Sequence, residues 1–297
     1  MTRPAAPPDL PFSAIPAALP GWITAARPGA GPEAAFRAGA ALAHLHQAAL
    51  RADLPQDLWR ARLALAAAET CAALAGRNEG EGALRDACHL TRPGDHPGPA
   101  GAVAMAWARA VARPISVAHL TRALPGLPAA RIGALLDMPG STPVARAAAA
   151  LQAQQDESPH DTTSALILAD AVLSQGIGIG HLLPCLSLTL APRDLARRGD
   201  DLHQACHRAA VAGVAQALSL VADLARRAAR LQAVAPRLRA RHADRAVALF
   251  LSSDALAPAD LRPLMSDRAA RRLCDRLVAL GALRELTGRP SFRLYGL

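Results

Sequence analysis

The chain has 297 residues, of which 52% are apolar, 19% charged and only 3% aromatic, with a net charge of +9 and a pI near 10.9. That length suits about two domains, and the apolar content is ample for a core, which excludes a chain unfolded throughout. Ala and Leu dominate and aromatics are scarce, so a strand-rich fold is disfavoured and a mainly α architecture is expected, with a basic surface that attracts polyanions.

Residues 1–32 carry Pro and Gly every few positions and read as an extended, partly disordered arm, with Trp22 as an anchor onto the body. With one Arg and no continuous apolar run in its first 20 residues, this arm does not read as a signal peptide. Helical periodicity starts at Glu33, after Pro32, with Phe36, Ala40, Ala43 and Leu50 on one face. A turn at Leu54-Pro55 leads to a second helix that carries Trp59 and stops at Gly76, and a third spans 81–89. The Pro- and Gly-rich run 92–99 is a loop, followed by helices near 100–111, 117–123, 128–136 and 142–154. After a polar loop to Asp161, with Asp161 or Thr163 as cap, residues 165–190 read as two buried helices around a Gly-rich turn. Asp170, Gly176, His181 and Pro184 interrupt that stretch too often for a membrane span. The longest pattern runs from Asp200 to Val234 and is broken by Pro236. Residues 33–236 thus form a multi-helix, all-α body.

Residues 240–297 are organised differently. Short helices at 243–251 and 258–264 precede a third over 267–280, which Ser266 caps and Gly281 ends. Leu273, Leu277 and Leu280 form its inner face; Arg268, Arg271, Arg272 and Arg276 lie on the other side. The period then changes to that of two strands, 282–286 and 291–295, joined by the turn 287–290, with Phe292 and Leu294 directed inward and Arg293 outward. Three helices and a β-hairpin make a winged-helix-like module, whose third helix is the one that enters the major groove of DNA. Arg268, Arg271 and Arg272 would then reach phosphates and base edges, and Arg289 at the hairpin tip the neighbouring backbone. All 33 basic residues are Arg, a bias that a GC-rich genome also produces, but guanidinium still suits bidentate phosphate contacts. Winged helices also dock proteins, and Asp267, Asp275 and Glu285 dilute the positive field.

Signals for catalysis are sparse. His203, Cys206 and His207 share a helix face at metal-ligand spacing, but core or surface histidines and a small buried thiol are the better explanation. The pairs Asp86/His89 and Asp200/His203 have the carboxylate-x-x-His spacing of di-iron bundles, but only Glu33 and Glu69 are available as further ligands. Gly176, Gly178 and Gly180 alternate without a following Lys-Ser/Thr, so they form no phosphate loop, and there is no GxSxG elbow. The five cysteines, Cys71, Cys88, Cys185, Cys206 and Cys274, are scattered and odd in number, which points to reduced thiols in a cytoplasmic protein. No cofactor and no metal is expected.

The run 35–42 (AFRAGAAL), the loop 92–101 (RPGDHPGPAG), the helix 223–229 (DLARRAA) and the ending from Ser266 resemble an uncharacterised bacterial family, the domain of unknown function numbered 1403. The most specific part is 286–297 (LTGRPSFRLYGL), and the resemblance extends over nearly the whole chain. A similar ending closes the helix-turn-helix end of a family related to Fic-type proteins, which implies a shared winged helix. The resemblance brings no catalytic residues, and it implies a bacterial cytoplasmic protein often encoded on plasmids or other accessory DNA. The leading expectation is a regulator that binds double-stranded DNA through Arg268, Arg271, Arg272, Arg276, Arg289 and Arg293, with no membrane partner. Its rival is an adaptor or neutralising partner that docks a protein or a second copy of itself through the same module. A metal-dependent or Cys/His enzyme in the body ranks third.

Overall fold

The computed structural model describes residues 18–24, 31–91, 94–238, 242–287 and 291–297. These are mainly helical, and the described strands form one two-stranded sheet. One turn of helix, α1 (Gly21–Thr24), precedes α2 (Pro32–Ala49), which opens with Pro32 in its first turn, where a missing N–H costs nothing. Next come α3 (Gln56–Leu74) and α4 (Glu81–Leu90). Gly76, with φ of +73°, supplies the left-handed residue that stops α3. The helices α5 (Gly98–Val111), α6 (Val117–Ala123), α7 (Ala129–Leu136) and α8 (Pro143–Glu157) follow the expected breaks, with Ser116 and Thr142 as side-chain N-caps of α6 and α8. Asp161 is the cap of α9 (Thr162–Gly176) and accepts from the Ser164 N–H.

Residues 164–174 of α9 are buried all round, as expected of a helix enclosed by others, here α3, α5, α7 and α8. The second helix expected before residue 190 does not form. Residues 177–190 instead run irregularly through the core, with one 3-10 turn at Leu186–Leu188. Two α9 side chains make this possible by replacing the helical hydrogen bonds. The Asp170 carboxyl accepts from the N–H groups of Leu186 (2.8 Å) and Ser187 (3.2 Å) and from the Ser187 hydroxyl (2.5 Å), while Ser174 Oγ accepts from Leu183 N–H at 3.0 Å.

After the short α10 (Pro192–Leu195), the 36-residue α11 (Gly199–Val234) packs against α1, α2, α3, α8 and the 3-10 turn. Its stripe from Leu202 through Cys206, Val214, Leu218 and Leu224 to Leu231 is buried. By length and composition α11 and its 3-10 extension would also suit a membrane span; within the fold it is the central core helix. Gly213 is its notch: a Cβ there would lie 2.1 Å from the Cys185 carbonyl oxygen, so only glycine lets the irregular segment approach this closely.

The apolar face of α2 is reversed from expectation. On α2 the buried positions are Ala34, Ala38, Ala41, Leu42, Leu45 and Ala48, leaving Phe36 67% and Leu50 63% exposed. Trp59 and Trp107 are core residues, but Trp22 stacks on Phe36 at the surface, and Ile23 is the buried residue of α1.

The C-terminal segment contains α12 (Ala243–Ser252), a 3-10 turn at Pro258–Leu261 in place of the expected helix, and α13 (Asp267–Ala279). A short antiparallel pair follows, β1 (Arg284–Glu285) with β2 (Tyr295–Gly296), in the register Arg284 to Gly296 and Glu285 to Tyr295. The strands are shorter than expected and the second lies further along. Leu256 bridges to the other side of Tyr295 through two 2.9 Å hydrogen bonds. Phe292, expected in the core, has φ of +56° and is 72% exposed.

This segment and the body share one apolar core, with α12 resting on α3 and α11. Asp254 supplies a charged tie. Its carboxylate lies 2.5 Å from Arg62 Nε and 2.7 Å from Arg85 Nε, and all three side chains are largely buried. Arg62 Nη2 also donates to the main-chain oxygens of Asp254 (3.0 Å) and Leu297 (3.1 Å).

Candidate nucleic-acid interface

The strongest amphipathic pattern in the C-terminal segment is that of α13. Ala270, Leu273, Cys274 and Leu277 are buried, spaced so that they line one side of a helix. The opposite side therefore presents Arg268, Arg271, Arg272, Asp275 and Arg276, all exposed. Both ends are fixed. Ser266 Oγ accepts from Ala269 N–H at 3.4 Å. At the far end Gly281 has φ of +65°, its N–H bonds to the Val278 carbonyl and that of Ala282 to the Leu277 carbonyl, both at 2.9 Å, which closes a Schellman motif.

The arginines of this face differ in their pairing. Arg271 contacts Asp267 at 2.9 Å, and Arg262 approaches the same carboxylate at 3.6 Å. No described carboxylate pairs with Arg268, Arg272 or Arg276. Three guanidinium groups thus stand in solvent with their donors available, at positions 268, 272 and 276, spaced four apart along one helical row. On the hairpin, Arg293 is exposed and lies 3.8 Å from Glu285. Arg289 lies outside the described residues.

The candidate metal ligands are not brought together as a trio. Cys206 is fully buried, and burial, with the Asp170 charge next, pushes its thiol up to about 12. The His203 and His207 rings lie against each other, with centroids 4.5 Å apart and planes tilted by 39°. Among the described residues no group of three or more His, Cys, Asp or Glu is arranged to hold a metal ion, which applies equally to the di-iron spacing at Asp86/His89 and Asp200/His203. Sequence spacing did not reveal that His46 on α2 lines the same groove as His207.

Burial also raises the Cys71 and Cys274 thiols to about 12, raises Cys88, and puts Cys185 well above its ordinary range, so thiolate nucleophiles are disfavoured. A cavity of about 410 Å³ between α3, α4, α5 and residues 252–254 brings Cys88 and His89 near Asp57, Arg60, Arg85 and Asp254. There the carboxylates are taken up in pairs, Asp57 with Arg60 and Asp254 with Arg85, which leaves neither as a free base.

Over residues 12–297 the chain matches the family model described as "Protein of unknown function (DUF1403)". No curated protein matches it.

Proposed function

We propose that this chain, which belongs to the DUF1403 family, binds double-stranded DNA through its C-terminal segment, with α13 as the helix that faces the groove. The observation that carries this reading is the row of exposed guanidinium groups of Arg268, Arg272 and Arg276, which no described carboxylate pairs, on a helix fixed at both ends. We read the segment as a winged helix. Support comes from its order of helix, bridging residue, short turn of helix, capped helix and hairpin, in which Leu256 and Glu285 flank Tyr295 on either side.

In this reading the N-terminal half of α13 brings Arg268 and Arg272 to phosphates and base edges. Arg276 lies one turn further along, and Arg271 joins on release from Asp267. Arg293 serves the adjacent backbone, the role that the sequence also assigns to Arg289. Each arginine that neutralises a phosphate displaces condensed counterions, so affinity falls steeply with salt.

Fluorescence-anisotropy titration with random-sequence duplex and with the gene's own upstream region, at several salt concentrations, tests the reading. Replacing Arg268, Arg272 and Arg276 together by Ala should flatten the log–log salt slope by about 3 and weaken binding to all sequences. Unchanged binding by the triple variant would assign the affinity to general basicity. No binding at low salt would end the DNA reading.

A second reading, docking of a protein partner or a second copy, is favoured by a different observation. Val278 on α13 is 37% exposed, and Phe292 projects from the same segment. Phe292→Ser should then disperse self-association in sedimentation velocity while leaving the DNA salt slope unchanged.

A further inference from the structure

The arginines of α13 do not end the basic surface of this molecule. Residues 224–242, the last turns of α11 and the chain that follows, carry six Arg and no Asp or Glu. No carboxylate within that stretch dilutes their field. Three of them, Arg226, Arg230 and Arg237, are exposed. Their spacings of four and seven residues place them on one face of α11 and its 3-10 extension. No described carboxylate pairs with Arg230 or Arg237. Arg226 lies 3.4 Å from Asp223, but Arg227 holds that carboxylate more closely, at 2.6 Å, and the Arg226 side chain is 67% exposed.

This row meets that of α13. Arg230 Nη1 donates to the Gly281 carbonyl oxygen at 3.5 Å, just past the end of α13. Each four-residue step along α13 turns about 40° beyond a full turn, so the row Arg268, Arg272, Arg276 winds round the helix and leads next to Leu280. Arg230 stands against the residue that follows. Its contact there uses one N–H of a guanidinium that has five. Arg284 of β1 lines one cavity of about 310 Å³ with Asp223 and Arg227, so the base of the hairpin lies beside the same turns of α11. Leu224, Ala225, Ala228 and Leu231 hold these turns in the core. They present arginines without being able to enter a groove themselves, and a contact from outside the groove reaches phosphates rather than base edges. We propose that α11 supplies a second, sequence-independent part of the duplex-binding surface, in which Arg226, Arg230 and Arg237 neutralise phosphates beside the groove that α13 enters. The inference rests on the DNA reading of α13 and extends it onto the helical body.

Anisotropy titrations of the full chain with random-sequence duplex, over a range of salt, test it. Replacing Arg226, Arg230 and Arg237 together by Gln should lower the log–log salt slope by about 3. The same three positions changed to Lys should keep the slope, because a phosphate contact needs the charge. Arg226→Gln with Arg237→Gln leaves the Arg230 contact to Gly281 in place and should lower the slope by about 2, which separates phosphate binding from support of α13. A control removes equal charge elsewhere on the body, at the exposed Arg113, Arg122 and Arg193, and should leave the slope unchanged. If the α11 triple variant lowers the slope no more than the control, or the Lys variant lowers it as much as the Gln variant, the inference is overturned. The DNA reading survives that result when replacement of Arg268, Arg272 and Arg276 still flattens the slope. Failure of the unmodified protein to bind duplex at low salt would overturn both.

Discussion

Asp170 shows how a single side chain can determine a path through the core. It has no solvent exposure, and its carboxyl holds residues 186–187 where a second helix might otherwise run. Burial raises its pKa to about 6, against the opposing pull of the Ser187 hydroxyl and the N–H groups of Leu186, Cys185 and Ser187. The folded state therefore holds this proton more tightly than the unfolded chain does. The associated stability is fully present below the unfolded value near 3.8 and is lost as pH rises through about 6, an effect of about 3 kcal/mol. Asp170→Asn should remove this fall in stability between pH 4 and pH 6. Urea unfolding of both proteins across that interval measures it, and parallel pH profiles would refute the assignment. The same residue marks a limit of sequence reading: Asp170 was visible as an interruption of an apolar run, but its partners lie 16 and 17 residues away, beyond any local pattern.

At the scale of elements, α13 was the most legible part of the sequence because its signals are local: the Ser266 cap, the Gly281 stop and the four-residue spacing of Leu273 and Leu277, both buried. Ser266→Ala should cost about 1 kcal/mol of stability, the usual worth of an N-cap, measured as a lowered denaturation midpoint with an unchanged slope. A loss below ~0.3 kcal/mol would mean that the helix is held by packing alone. On α2 the same kind of reading chose the wrong face, because small alanines and large apolar residues alternate around the helix and periodicity cannot tell which side meets α11. Phe292 was misplaced for a different reason: its positive φ breaks the strand alternation from which its burial was inferred. That His46 and His207 line one groove depends on α2 packing against α11, for which no spacing within either helix gives a sign.

For the molecule as a whole, the division at residue 240 that the pattern of helices and strands suggests is crossed by a shared core and by the charges around Asp254. Removing that carboxylate would leave Arg62 and Arg85 facing each other in a largely buried site. Asp254→Ala should therefore destabilise the protein by about 3–5 kcal/mol, the scale of a broken buried ion pair. Chemical denaturation followed by helix content and by Tyr295 fluorescence checks this. The two probes should share one transition before the change and lose stability together; a shift in the tyrosine signal alone would show that the C-terminal segment unfolds independently.

The longest helix gives these parts a common mechanical frame. With 36 residues, α11 is a rod about 54 Å long. Gln204 in its second turn accepts from the Gly31 N–H, and Arg230 near its other end reaches the Gly281 carbonyl oxygen that follows α13. The notch at Gly213 lies between the two. A tilt of about 5° about that point would move the two tips by about 2 Å and about 3 Å, in opposite directions. The groove beside His207 and the cap of α13 beside Arg230 therefore lie on opposite sides of the notch, and a rigid tilt of α11 there would displace both together.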